Sequence, residues 1–155
     1  MQKIIRVAAI ALLTFLTSCA SVPVHEPTRE ASTDANLGGT WIVSRAEFAG
    51  NSLSVPLGME LQISGEQYRI GSVTNAALPS DRGRIVFLAN ARDTKAAHID
   101  IVGEDGPSQG KRFPAIYRFN ARELEMCIDL AEQARPTEFV SREGTLLVRV
   151  NYTRK

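Results

Sequence analysis

Between Ala115 and Asp129 the chain alternates twice over. Ala115, Tyr117 and Phe119 share one parity before a short polar break, and Leu124, Met126 and Ile128 share one parity after it. A hydrophobic period of two puts every second side chain on one face of a strand, so these runs predict antiparallel strands with one face in a core and the other wet. The break between them predicts a tight turn. Downstream, Arg135-Pro136-Thr137-Glu138-Phe139 is expected to finish a loop and restart a third strand behind the proline, which cannot donate to a sheet ladder.

The same pattern recurs along the chain. Trp41-Ile42-Val43 opens a strand expected to reach Phe48. Met59, Leu61 and Ile63 alternate against polar neighbours, and Ser64-Gly65-Glu66 predicts a hairpin into Gln67–Ile70. Gly71 to Gly83 reads as a longer loop. Arg84–Ala89 and Ala97–Val102 read as strands, Gly103–Arg112 as a glycine-rich turn, and Thr145–Tyr152 as the closing strand. About eight strands without a helical period indicate an all-β fold, a sandwich or a barrel. The expected inward set is Trp41 and Val43, Leu61 and Ile63, Ile85 and Phe87, Ile99 and Ile101, Tyr117, then Leu124, Met126 and Ile128, and finally Phe139, Val148 and Val150. Both faces of the Arg84–Ala89 strand are apolar, so its parity is open; Ile85 and Phe87 are taken as the inward pair.

The first 18 residues have a different character. Lys3 and Arg6 precede the apolar run Val7–Leu16, whose length suits a signal-peptide core of about 7–15 residues and falls short of the roughly 20 needed to span a bilayer. Leu16-Thr17-Ser18-Cys19 resembles a bacterial lipobox. That resemblance implies cleavage after Ser18 and diacylation of Cys19, and Ala20, in place of a retention aspartate, implies the outer membrane with the domain facing the periplasm. Each buried methylene of such an anchor contributes about 0.8 kcal/mol. Residues 19–37 carry Pro23, Pro27 and His25 without hydrophobic periodicity, as expected of a flexible tether. The folded unit is expected over 38–155, about 118 residues and one domain.

Charge excludes one class of partner. The chain has 18 Lys and Arg against 17 Asp and Glu, and loss of Lys3 and Arg6 leaves 16 against 17. A near-neutral domain offers no basic face for nucleic acid. With Cys19 acylated, Cys127 has no partner for a disulfide, and no cysteine metal site is expected.

A family resemblance rests on motifs spread over the whole folded unit. Gly39-Thr40-Trp41 is similar to the Gly-x-Trp opening of lipocalins. It is followed in order by His98-Ile-Asp-Ile, Gly110-Lys, Ala115-Ile-Tyr, Glu123-Leu-Glu-Met-Cys-Ile and Arg135-Pro-Thr-Glu-Phe. Together these resemble a planctomycete-type lipocalin-like domain family of unassigned function, over about Gly38 to Val150. The chain departs from it at Ala115, where the family often has glycine, and in Gly71–Gly83. The resemblance implies an antiparallel lipocalin-like barrel of about eight strands, with Trp41 plugging one end and a late arginine, Arg118 or Arg149, stacked on it. It brings no catalytic residues. A barrel of this size encloses a filled core or room for one small ligand, and Leu61, Phe87, Ile101, Tyr117 and Met126 are the expected lining.

Chemistry is sparse. His98 and Asp100 share one strand face and are expected as a pair on the solvent side, since no nucleophile-elbow pattern accompanies them. No metal ligands at useful spacing accompany His98, and no cofactor is expected. Cys127 lies out of phase with the core and is expected to be inert under a covering loop such as Leu130–Arg135, the alternative being an exposed reactive thiol. Arg135 or Glu138 is expected to pair with a neighbour. The expected function is non-enzymatic binding of a small apolar ligand. The alternative is a protein-binding inhibitor or immunity lipoprotein that neutralises an envelope toxin or protease through the tether and the barrel-end loops, chiefly Gly71–Gly83 and Gly103–Arg112. A hydrolase acting through His98 and Asp100 is the third reading.

Overall fold

The computed structural model describes residues 37–88 and 96–155. The expected signal peptide, the expected lipidation site Cys19, His25 and the expected tether up to Asn36 lie outside the described residues; Leu37, expected as the last tether residue, is instead fully buried in the core.

The described chain forms one antiparallel sheet that closes on itself. Its strands are β1 (Gly39–Phe48), β2 (Asn51–Leu53), β3 (Met59–Ser64), β4 (Gln67–Ser72), β5 (Asp81–Phe87), β6 (Ala97–Asp105), β7 (Arg112–Phe119), β8 (Glu123–Asp129) and β9 (Leu147–Arg154). Each pairs with the next, apart from β2, and β1 also pairs with β9 to seal the cylinder. Eight strands make the barrel, in line with a lipocalin-like architecture. The ninth, β2, is a short extension paired with the far end of β1 through Ala46–Phe48. The sequence gives β2 no signal, because Asn51-Ser-Leu53 is exposed throughout and has no inward parity.

The alternation places the core. Leu61, Ile63, Ile85, Phe87, Ile99, Tyr117, Leu124, Met126 and Val150 are buried together inside, with Val43, Ile101, Ile128 and Val148 packed against them. Ile85 and Phe87 are the inward pair of β5, at 2% and 3% exposure. Leu37, Tyr68, Ala115 and Tyr152 complete the interior. All of these core residues lie between Leu37 and Tyr152.

Two expectations are corrected. The segment after Pro136 does not restart a strand: β9 begins only at Leu147, and the residues between β8 and β9 cross the outside of the barrel. Phe139 consequently leaves the core and lies outside, half-buried beneath the Arg118 guanidinium at 4.5 Å from the ring centre. The expected Gly71–Gly83 loop is also shorter, because β4 continues to Ser72 and β5 starts at Asp81.

Candidate functional site

One end of the barrel is sealed by Trp41. Its ring is fully buried, and its indole Nε1 donates to the Leu37 carbonyl at 2.9 Å. The arginine stacked on it is Arg154, 4.1 Å from the ring centre, which also donates to the Gly38 carbonyl at 2.9 Å. Gly39 explains the room for it. Its φ is +131°, and a Cβ there would stand 2.9 Å from the Arg154 guanidinium, so the left-handed backbone and the missing side chain both serve this contact. Arg118 and Arg149, the expected stacking residues, are elsewhere. Both point outward from β7 and β9 and converge on Glu125, at 2.6 Å for Arg118 and 2.6 Å for Arg149. Parity decides this: Tyr152 faces inward and Arg149 outward, while Arg154 shares the parity of Tyr152 at the end of β9, where the barrel mouth meets Trp41.

Away from that seal the interior holds a cavity of about 160 Å³, lined by Leu61, Ile85, Ile101, Met126, Tyr68 and Tyr152 among others, with the less buried Asp81, Ser108 and Leu130 also on its wall. Three of the expected lining residues, Leu61, Ile101 and Met126, are there. Phe87 and Tyr117 are not. They pack edge to face against each other, ring centres 6.4 Å apart, and Tyr117 stacks on Phe119. These rings fill the Trp41 end of the barrel, because the β5–β6 and β6–β7 registers set Phe87 beside Ile99 and Tyr117 beside Ala97.

The polar side chains of the cavity are set by glycine and register. Tyr68 pairs directly with Gly83 across β4 and β5, and a Cβ on Gly83 would come within 3.0 Å of the Tyr68 ring and 2.0 Å of the Val102 carbonyl. The bare glycine lets the ring lie across the sheet, and its hydroxyl reaches Asp81 Oδ2 at 3.2 Å. The other carboxylate oxygen of Asp81 accepts the Ser108 backbone N–H at 3.2 Å. Burial, then the charge of Asp81, holds the Tyr68 phenol well above its ordinary pKa. Tyr152 is 3% exposed, and its hydroxyl has no hydrogen-bond partner among the described residues; burial alone pushes its phenol up. Asp81, Tyr68 and Tyr152 were not expected at a site. The parity of Asp81 with Ile85 and Phe87 was the available signal, hidden because Gly83 interrupts the apolar run.

The outer face of β6–β8 is covered by the 130–146 segment. Asp129 fixes its start by accepting the backbone N–H groups of Ala131, Gln133 and Ala134 at 2.9, 3.0 and 2.9 Å. Arg135 fixes its middle, donating to the carbonyls of Ile99 and Ala115 and to Asp100. Asp100 also accepts Arg112 Nε at 2.8 Å and is 5% exposed, so the expected solvent-side His98/Asp100 pair is corrected: the carboxylate is buried under two arginines. Burial alone would raise the Asp100 pKa, but hydrogen bonds from Arg135 and Arg112 and their charges outweigh it and hold it below the usual carboxylate value. Cys127 is fully buried beneath the same segment, its thiol directed at the Val140 carbonyl at 3.7 Å, and burial pushes its pKa up. The expected covered thiol and the expected Arg135 ion pair are both present, with Glu138 paired to Arg142.

No protein family, no curated protein and no solved structure matches the chain in these comparisons.

Proposed function

We propose that this protein is a lipid-anchored envelope protein whose barrel binds a small apolar molecule without transforming it. The observation that carries the reading is the cavity of about 160 Å³ inside the barrel. An apolar cavity of roughly 150 Å³ stays dry and accepts benzene, whereas sites for drug-sized ligands run to roughly 300–1,000 Å³. The occupant is therefore compact, a single ring or a short branched chain. Tyr152 also lines this space and offers its hydroxyl to a guest or a water. The anchor rests on Leu16-Thr17-Ser18-Cys19 alone. Ala20 after the cysteine supports the outer membrane as its site, and Cys19→Ala should move the protein from the membrane to the soluble fraction.

Native mass spectrometry of residues 20–155, purified from periplasm, tests the binding. A reproducible small added mass that disappears on denaturation is expected. A bare mass, with no rise in melting temperature on adding toluene, would overturn the reading.

A second reading, a protein-binding inhibitor, is favoured by one feature of the open end. Leu57 and Val73 are 87% and 59% exposed on neighbouring loops, which are tied together by Val73 N–H to the Gly58 carbonyl at 2.9 Å. Loss of partner capture on Leu57→Asp, with the added mass absent in both forms, would select it.

A further inference from the structure

The cavity has a charged threshold, and its chemistry narrows the guest. Asp81 stands in the inward parity of β5, opposite Ile70 and in line with Gly83 and Ile85. Its two oxygens each accept one hydrogen bond, from the Tyr68 hydroxyl and the Ser108 N–H, and each keeps a free lone-pair direction. The neighbouring arginines do not neutralise it. Arg82 pairs with Asp105 at 2.9 Å and Arg84 with Glu104 at 3.4 Å, both on the outside of the sheet. Among the described residues no lysine or arginine pairs with Asp81. Behind this carboxylate the walls are Leu61, Ile85, Ile101 and Met126.

We infer that the barrel takes a compact apolar body carrying a cationic amine, with the body in the cavity and the ammonium on Asp81. This deepens the apolar-ligand reading and rests on it. A neutral guest would leave a carboxylate facing an apolar space it had just dried, whereas an ammonium meets it with a charge-assisted hydrogen bond. An anionic guest would be repelled at the threshold. Tyr152, deeper among the walls, offers a hydroxyl to any second polar atom of the guest.

The test compares toluene with benzylamine, nearly isosteric probes that differ in charge, titrated into residues 20–155 and followed by the Met126 methyl signal. Benzylamine is expected to bind at least tenfold more tightly, a difference of 1.4 kcal/mol. Asp81→Asn should abolish that preference, read as the ratio of the two affinities within the same variant. Toluene bound with benzylamine no tighter, or a preference surviving in Asp81→Asn, overturns the inference and leaves the apolar cavity reading intact. Neither probe binding removes both. Should Asp81→Asn fail to fold, Tyr68→Phe decides: it frees one oxygen of Asp81 while keeping the charge, so the benzylamine preference should persist. Its fall to the toluene level would refute the assignment.

Discussion

Arg154 is the last strand residue of the chain, and it closes the barrel over a tryptophan more than a hundred positions away. A cation held over an indole contributes about 0.5–2 kcal/mol, and Arg154 adds a hydrogen bond to Gly38. Arg154→Ala should therefore lower stability in urea by about 1–3 kcal/mol and red-shift Trp41 emission. Arg118→Ala and Arg149→Ala should leave that emission unchanged, because both side chains belong to the Glu125 network outside. Gly39→Ala should be as damaging as Arg154→Ala, since φ of +131° and a 2.9 Å approach to the guanidinium both oppose a methyl group. At this scale the sequence announced Trp41 through Gly39-Thr-Trp and the buried faces of β3 and β8 through alternation. It did not announce the arginine. Arg118, Arg149 and Arg154 are equivalent as letters, and only the strand register against β1 distinguishes them. Asp81 was missed for a related reason: a carboxylate in Pro79-Ser-Asp-Arg-Gly83 reads as turn, although its parity is that of the core.

Among the elements, the 130–146 segment has the most to explain. Seventeen residues without regular structure separate β8 from β9, an unusual length inside a compact domain. Asp129 and Arg135 pin it to the outer sheet, and Pro136 is buried beneath it. Arg135→Ala removes donors from two strand carbonyls and from Asp100. Hydrogen bonds from a charged group are worth about 1.5–3 kcal/mol, so a loss of about 2–3 kcal/mol is expected. The more specific consequence is chemical. In the native protein Cys127 should resist a small thiol reagent at neutral pH, being buried with its pKa pushed up; in Arg135→Ala it should react. Equal protection in both proteins would show that Arg135 does not hold the segment down. Arg135-Pro136 was legible as a structural motif, and Cys127 as a covered thiol. The expected third strand was not correct, because Phe139 supplied an apolar residue at a plausible parity and nothing local revealed that it packs under Arg118 on the outside.

Taken whole, the molecule is a cylinder with unlike ends, and its stability should respond to acid in two stages. His98 has its pKa lowered from 6.5, by burial and then by the charge of Arg135. Below pH 6.5 the unfolded chain binds that proton more readily than the folded one, so a small stability loss should begin there as pH falls. Asp100 and Asp129 have folded pKa values below 3.8, the first through its arginines and the second through three backbone N–H groups, in each case against the opposing effect of burial. Their contribution is complete above 3.8 and is lost as pH drops through the folded values. Urea denaturation from pH 8 to 2 should show a shallow step and then a steep one, and Asp129→Asn should flatten the second. The unlike ends have a further consequence. The chain enters the barrel at Leu37, under Trp41, so any anchor upstream takes hold of the sealed pole, while Asp81 and the way into the cavity lie at the opposite pole. With the proposed lipid anchor, the barrel is held by its plugged pole and its opening lies at the far one. It would fill from the aqueous compartment, sampling solutes in transit, and its occupancy should follow their free concentration there rather than their partition into lipid.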